Sequence, residues 1–268
     1  MGIEPNDPRR KRTEFMVRCA LAIGSMLAAL LSGAGIARAE PMPGPAPAAL
    51  AGALERAAPA ADPHVLELAT RALACRKHSS DRDDRILGVI DYSRPSTLPR
   101  LWIFDVVQQK LLYEERVAHG RNSGGNLAEH FSNEAGSLES SLGGFESAGT
   151  YFGHNGYSLR LRGLEPGFND LAMERAIVVH GAPYVSESLV QQQGRLGRSF
   201  GCPAVRSAIA RPLIDTLSEG SFLFAYYPDA DWLARSRLLG DCAGPARGIA
   251  QAVAPVDPAQ SKRSPVAH

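Results

Sequence analysis

The residues best suited to chemistry lie in two nearby stretches, Ala176-Ile177-Val178-Val179-His180-Gly181 and Gly194-Arg195-Leu196-Gly197-Arg198-Ser199-Phe200-Gly201-Cys202-Pro203-Ala204-Val205-Arg206. A thiol and an imidazole together can run acyl transfer, the imidazole taking the proton as the sulfur attacks a carbonyl. Cys202 is read as that nucleophile and His180 as its base. Small residues before Cys202 let the backbone approach a substrate closely, and Pro203 fixes a turn rather than continuing a strand. Arg195, Arg198 and Arg206 flank the cysteine in sequence, and nearby positive charge favours the attacking thiolate over the thiol. His180 closes a short β-branched run that reads as a buried strand, so its ring is expected to project from a sheet edge. Taken singly, Cys202 fits a small buried hydrophobe and His180 a satisfied polar residue. The linked His-Gly and Ser-x-Gly-Cys pattern favours catalysis over both.

The pattern resembles the catalytic domain of the L,D-transpeptidases (the YkuD type), whose signature is His-Gly followed after a gap by Ser/Thr-His-Gly-Cys. The matching residues are His180-Gly181 and Ser199-Phe200-Gly201-Cys202, so Phe200 stands where most of the family has a second His. The family's Arg two residues past the Cys is Ala204 here, with Arg206 two further on. The resemblance spans roughly residues 87–228 and implies a mainly β fold, an L,D-transpeptidase-type β-sandwich with short peripheral helices. It also implies that the Gly181 carbonyl orients His180, and that no acidic third member is needed. The N–H groups of Gly201 and Cys202 are the expected oxyanion donors, and Ser199, Arg198, Arg206, Tyr157 and His154 the expected substrate-binding side chains. The implied reaction is attack on the third-position carbonyl of a peptidoglycan stem tetrapeptide with loss of D-Ala, the acyl group then passing to an amine. Transfer to water instead would make the enzyme an L,D-carboxypeptidase. A peptidoglycan-binding module with a structural Cys202 is the competing class. A papain-like peptidase would place its Cys and His in the opposite order.

The elements that must hold these residues are written in a chain of 268 residues, 44% hydrophobic and 21% charged, with a formal net charge of +1. That balance gives no general attraction to nucleic acid. The basic cluster Arg9-Arg10-Lys11-Arg12, the apolar run 16–36 and Ala37-Arg38-Ala39 follow the order of a secretory signal peptide, with residues 1–39 removed and no stable membrane insertion afterwards. The mature protein is expected in the periplasm or cell envelope. Cys19 lacks the small-residue context of a lipoprotein. Export would leave Cys75, Cys202 and Cys242. A nucleophilic Cys202 requires the other two either to pair with each other or to stay apart as structural thiols. His119, His130 and His154 lack the close spacing of a metal site, so neither a metal nor a cofactor is expected.

Residues 40–63, almost all Ala, Pro and Gly, read as a flexible linker. Val65, Leu66, Leu68, Ala69, Ala72 and Leu73 recur at helical spacing, giving a short amphipathic helix over 64–76 before a polar connector ending at 84. The catalytic domain is placed at 85–241. It opens with strands at 86–92, 100–106 and 110–117, the last two forming a hairpin that leads to Val117-Ala118-His119-Gly120. Residues 122–144 are too polar for core and form a long loop bordering the site or moving freely. Ser141-Leu142-Gly143-Gly144-Phe145 is similar to the family's substrate-side segment. Residues 151–161 read as a turn running into a strand that turns Tyr157 and His154 to the cleft. A helix over 211–217 with Pro212 in its first turn, a strand at 221–227 and a short helix around Trp232 complete the domain. Residues 242–268 are expected to be a disordered tail.

Overall fold

Alternating and continuous apolar runs become the strands of one mixed sheet. The computed structural model describes residues 46–79, 85–217, 220–240 and 242, all within one compact unit. The proposed signal segment, the polar connector and the tail beyond Cys242 lie outside the described residues. The strands are β1 (Ile86–Asp91), β2 (Leu101–Asp105), β3 (Lys110–Glu115), β4 (Gly143–Gly153), β5 (Gly156–Gly163), β6 (Val178–Ala182), β7 (Ala204–Arg206) and β8 (Phe222–Tyr226). Their order across the sheet is β3-β2-β1-β8-β4-β5-β6-β7. The chain leaving β3 then meets the far edge, with Ala118 bridging to Ala204 and Gly120 to Ser199. The sheet thus curls until its two ends nearly touch, and the expected sandwich takes the form of one sheet's two halves.

Among the described residues five helices accompany it: α1 (Pro47–Ala57), α2 (Pro63–Ser79), α3 (Glu187–Gln193), α4 (Ser207–Leu217) and α5 (Ala230–Arg235). α2 starts at Pro63 with the Asp62 carboxylate accepting from the His64 N–H at 2.8 Å, which satisfies one otherwise unpaired first-turn donor. Its buried face is the predicted apolar stripe, which packs on β1 and β8. The flexible linker expected over 40–63 is corrected by α1. Leu50 and Leu54, four residues apart, bury one helical face against α2. Pro212 lies inside α4 rather than in its first turn, because the helix begins at Ser207. α4 presents Ala210, Leu213, Ile214 and Leu217 to the interior of the curl. A side chain at Gly181 would put its Cβ 2.7 Å from the Ala210 Cβ, so β6 and α4 can approach only through a glycine. Cys75 and Cys242 form a disulfide that ties α2 to the end of the described chain.

Candidate active site

His180 sits on β6 with Ser158 of β5 opposite on one side and Ala204 of β7 opposite on the other. Cys202 lies two residues before Ala204 and so falls level with Val178 of β6. Its Sγ is 3.7 Å from the Ala176 carbonyl oxygen and takes the Val178 N–H. Cross-strand partners share a face and neighbours along a strand alternate. Val178, His180, Ser158 and Arg160 therefore face one way, while Val179, Gly181 and Tyr157 face α4. Ala176 and Val178 also line an open groove of about 200 Å³ with Tyr151, Arg160, Met173 and Ile177. Cys202 is not among the residues lining that groove and meets it only through the Ala176 carbonyl; within the groove the Arg160 guanidinium lies 3.9 Å over the Tyr151 ring. Ala176 has φ of 55°, a left-handed conformation that a residue with a Cβ adopts at a cost and that recurs at functional sites.

The imidazole is held in one tautomer. His180 Nδ1 lies 3.0 Å from the Gly181 carbonyl oxygen. A carbonyl only accepts, so Nδ1 carries the hydrogen and the neutral ring keeps its lone pair on Nε2. Burial holds the His180 pKa below the ordinary 6.5, against the upward pull of the Gly181 contact. Burial likewise pushes the Cys202 thiol up from its ordinary 9.0, offset in part by the Val178 N–H and by the charge of Arg175. Both shifts point to a neutral thiol and neutral imidazole at rest. The flanking arginines of the sequence do not change this. Arg206 is bound two-pronged to Glu115 of β3 at 2.8 and 2.7 Å, and Arg198 Nη1 donates to the carbonyls of Arg121 and Gly124 at 3.0 and 2.8 Å. The cation acting on the sulfur is Arg175.

The turn carrying Cys202 is fixed from within and from below. The Ser199 hydroxyl donates to the Cys202 carbonyl at 2.6 Å and accepts the Gly201 N–H at 3.1 Å. Ser199 is therefore committed to the turn rather than to substrate. The Gly201 N–H, expected as an oxyanion donor, is likewise engaged, leaving the Cys202 N–H for that part. The Ser140 hydroxyl donates to the Gly201 carbonyl at 3.0 Å and accepts the Gly120 N–H at 3.0 Å. Gly201 has φ of 119°, and a Cβ there would lie 2.8 Å from the Glu139 carbonyl oxygen, so this turn requires glycine. Beneath it, Ser199 pairs through its own backbone with His119 and Arg121 at 2.9 and 2.8 Å, and Ala118 with Ala204 at 2.8 Å. That supporting segment hangs on Arg100, fully buried, which donates to the Val117 carbonyl at 3.0 and 2.8 Å and to His119 Nδ1 at 2.7 Å.

Three expected substrate residues stand elsewhere. The Tyr157 hydroxyl donates to Asp215 of α4 at 2.6 Å, on the face opposite His180. His154 occupies the exposed β4–β5 turn, beyond the residues that β5 pairs with β6. Arg206 lines a separate groove of about 240 Å³ with Glu115, Arg116 and Glu187. Phe200 is 67% exposed with the Arg121 guanidinium 5.6 Å over its ring. Sequence reasoning missed Arg175, whose only signal is its position five residues before His180. Among the described residues no group of three or more His, Cys, Asp or Glu could hold a metal ion.

His180 thus stands on an inner strand rather than projecting from a sheet edge, because β7 covers β6, and Cys202 lies in the turn that leads into β7. The family model for the L,D-transpeptidase catalytic domain matches residues 57–226, and the chain belongs to that family. No curated protein matches. Similar solved structures include an L,D-transpeptidase from Mycobacterium smegmatis, 14% identical over 53% of this chain and 59% of that one, TM-score 0.35. One from Mycobacterium tuberculosis is 12% identical over 53% and 58%, TM-score 0.35. A fused Zn-dependent amidase/peptidase/peptidoglycan-binding domain-containing protein from Clostridium acetobutylicum is 15% identical over 62% and 62%, TM-score 0.33. The chain spans about six-tenths of the length of each.

Proposed function

We propose that this protein is an exported cysteine-dependent peptidoglycan L,D-transpeptidase. The observation that carries this reading is the Nδ1 contact of His180 with the Gly181 carbonyl, which leaves Nε2 able to accept a proton, on the strand next to the one that Cys202 leads into. His180 takes the thiol proton as Cys202 Sγ bonds to the third-position carbonyl carbon of a stem tetrapeptide. The carbonyl electron pair moves to oxygen, met by the Cys202 N–H, a donation worth about 3 kcal/mol in such sites. Collapse breaks the bond to D-Ala, whose nitrogen takes the proton from His180, and leaves a thioester on Cys202. An amine of a second stem then attacks the thioester, giving up its proton to His180 and restoring the thiol. Because both partners rest neutral, His180 acts as a general base rather than half of a standing ion pair. Arg121, over the Phe200 ring, and Arg195 and Arg198, whose charges act on one another, give this surface positive charge suited to the carboxylates of the stem. The Cys75–Cys242 disulfide accords with an oxidising compartment and hence with export, and leaves Cys202 as the free thiol among the described residues.

A second reading, a binding module with a structural cysteine, draws on the burial of Cys202, 8% exposed, and on its raised pKa. Incubating residues 40–268 with a disaccharide tetrapeptide, beside a Cys202→Ala control, and weighing the products by mass spectrometry separates them. Cross-linked dimer and free D-Ala, absent from the control, are expected. Tripeptide without dimer would make the enzyme an L,D-carboxypeptidase. No product from either protein would leave the binding module.

A further inference from the structure

Arg175 precedes β6 and reaches across to the long loop that borders the site. Its Nη1 donates to the Ser132 carbonyl at 2.6 Å and the Ser141 hydroxyl at 2.5 Å, and its Nη2 to the Ser137 hydroxyl at 3.1 Å and the Glu139 carbonyl at 2.7 Å. All four partners lie within residues 132–141, and none is a carboxylate. A Cβ built on Gly201 would lie 3.5 Å from the same Nη2, so the guanidinium rests against the residue preceding Cys202. The next residue, Ala176, holds the Cys202 thiol through its carbonyl. One side chain thus touches the loop and the turn, while its own backbone neighbour touches the sulfur.

We infer that Arg175 is a positioning residue for Cys202, clasping residues 132–141 against the turn at 199–202 and setting a fixed positive charge beside the sulfur. The inference rests on the reading of Cys202 as nucleophile given above. A planar fork suits the task, since it satisfies four acceptors from one rigid group where an ammonium would satisfy fewer and less directionally. Its charge is not neutralised by an acid against it; Glu139 supplies a carbonyl and a more distant carboxylate that supports the cation. Tyr92 beyond β1 and Tyr184 beyond β6 also face the sulfur, whose negative charge would push their own pKa values up, so both phenols stay neutral beside it. What disfavours a negative sulfur is burial, and Arg175 is the cation set against that. It favours the sulfur's negative charge as His180 removes the proton, without accepting that proton itself.

The test compares the protein with its Arg175→Gln and Arg175→Lys variants, each beside its own Cys202→Ala counterpart. The thiolate absorbance of Cys202 against pH and its alkylation by iodoacetamide are read as differences. For Arg175→Gln the ionisation midpoint should rise by about one pH unit and alkylation near neutrality should slow about tenfold. Arg175→Lys should recover most of both, because the charge returns. An unmoved midpoint in Arg175→Gln overturns the inference, as does a lysine variant indistinguishable from the glutamine one. Should Arg175→Gln fail to fold, Ser137→Ala combined with Ser141→Ala keeps the charge but frees it from two anchors. The midpoint should then rise by a smaller step, and an unchanged midpoint there also overturns the inference. Product formation with an unmoved midpoint would sink Arg175 and leave the transpeptidase, whereas a shifted midpoint without any product would sink the transpeptidase and leave Arg175.

Discussion

At the scale of single residues, the site works through hydrogen bonds that decide which atoms are left to react. With its Nδ1 hydrogen committed to Gly181, His180 presents one lone pair, and replacing it by alanine should lower product formation and Cys202 alkylation by about 10² to 10⁴ near neutrality. The pH dependence follows from the same groups. Protonation of His180 removes the base, and its pKa is lowered, so activity should fall only as pH drops below the ordinary 6.5. The thiol's pKa is raised, so no activation by free thiolate should begin at the ordinary 9.0. A kcat/KM profile showing loss above 6.5 on acidification would contradict this assignment. Ser199 is a second case. Ser199→Ala would leave the buried Gly201 N–H and Cys202 carbonyl without their partner, which should destabilise the fold by about 1–3 kcal/mol in denaturant unfolding.

Among the elements, how much was legible depended on whether a signal was local. Strands β1, β2, β3, β6 and β8 and helix α2 carry their own apolar patterns, and the motif residues flank them. α1 was hidden because its Ala and Pro content matches a linker, and Leu50 and Leu54 become a face only when α2 lies beneath them. Leu54, fully buried, should therefore cost about 2–5 kcal/mol as Leu54→Ala; a change within a few tenths in chemical denaturation would return α1 to linker status. Sidedness was equally hidden. The pairing of Ser158 with His180 turns Tyr157 toward α4, and a one-residue shift of register would have turned it to the groove. Gly201 was misjudged because a side chain two residues away competes for its N–H. Arg175 left only its nearness to His180 as a signal, since an isolated arginine in a turn has neither period nor motif.

At the scale of the whole molecule, the buried polar support beneath the Cys202 turn couples folding to acid. His119 is 1% exposed, and burial together with the Arg100 charge pushes its pKa down to about 3. An unfolded chain binds a proton near 6.5 that the fold refuses, so stability should decline as pH falls between those values, with a slope of about 1.4 kcal/mol per pH unit. Asp91 and Glu165, whose carboxyls burial pushes up, take protons earlier in the fold and oppose the trend at its lower end. His119→Gln should flatten the slope between pH 6 and 4 in denaturant titrations, and an unchanged slope would move the effect to other groups.

The disulfide between Cys75 and Cys242, 167 residues apart in sequence, makes a covalent ring of the chain that contains all eight strands. Cutting that ring once does not divide the molecule. The exposed tip of the β4–β5 hairpin, where Phe152 is 73% exposed, is the natural place for a protease to nick. A nicked protein should run as one band on a gel without reductant and as two after reduction. Two bands without reductant would show the ring open in solution. In a compartment shared with proteases, such a molecule can lose a peptide bond at its rim and still keep both halves of its curled sheet together.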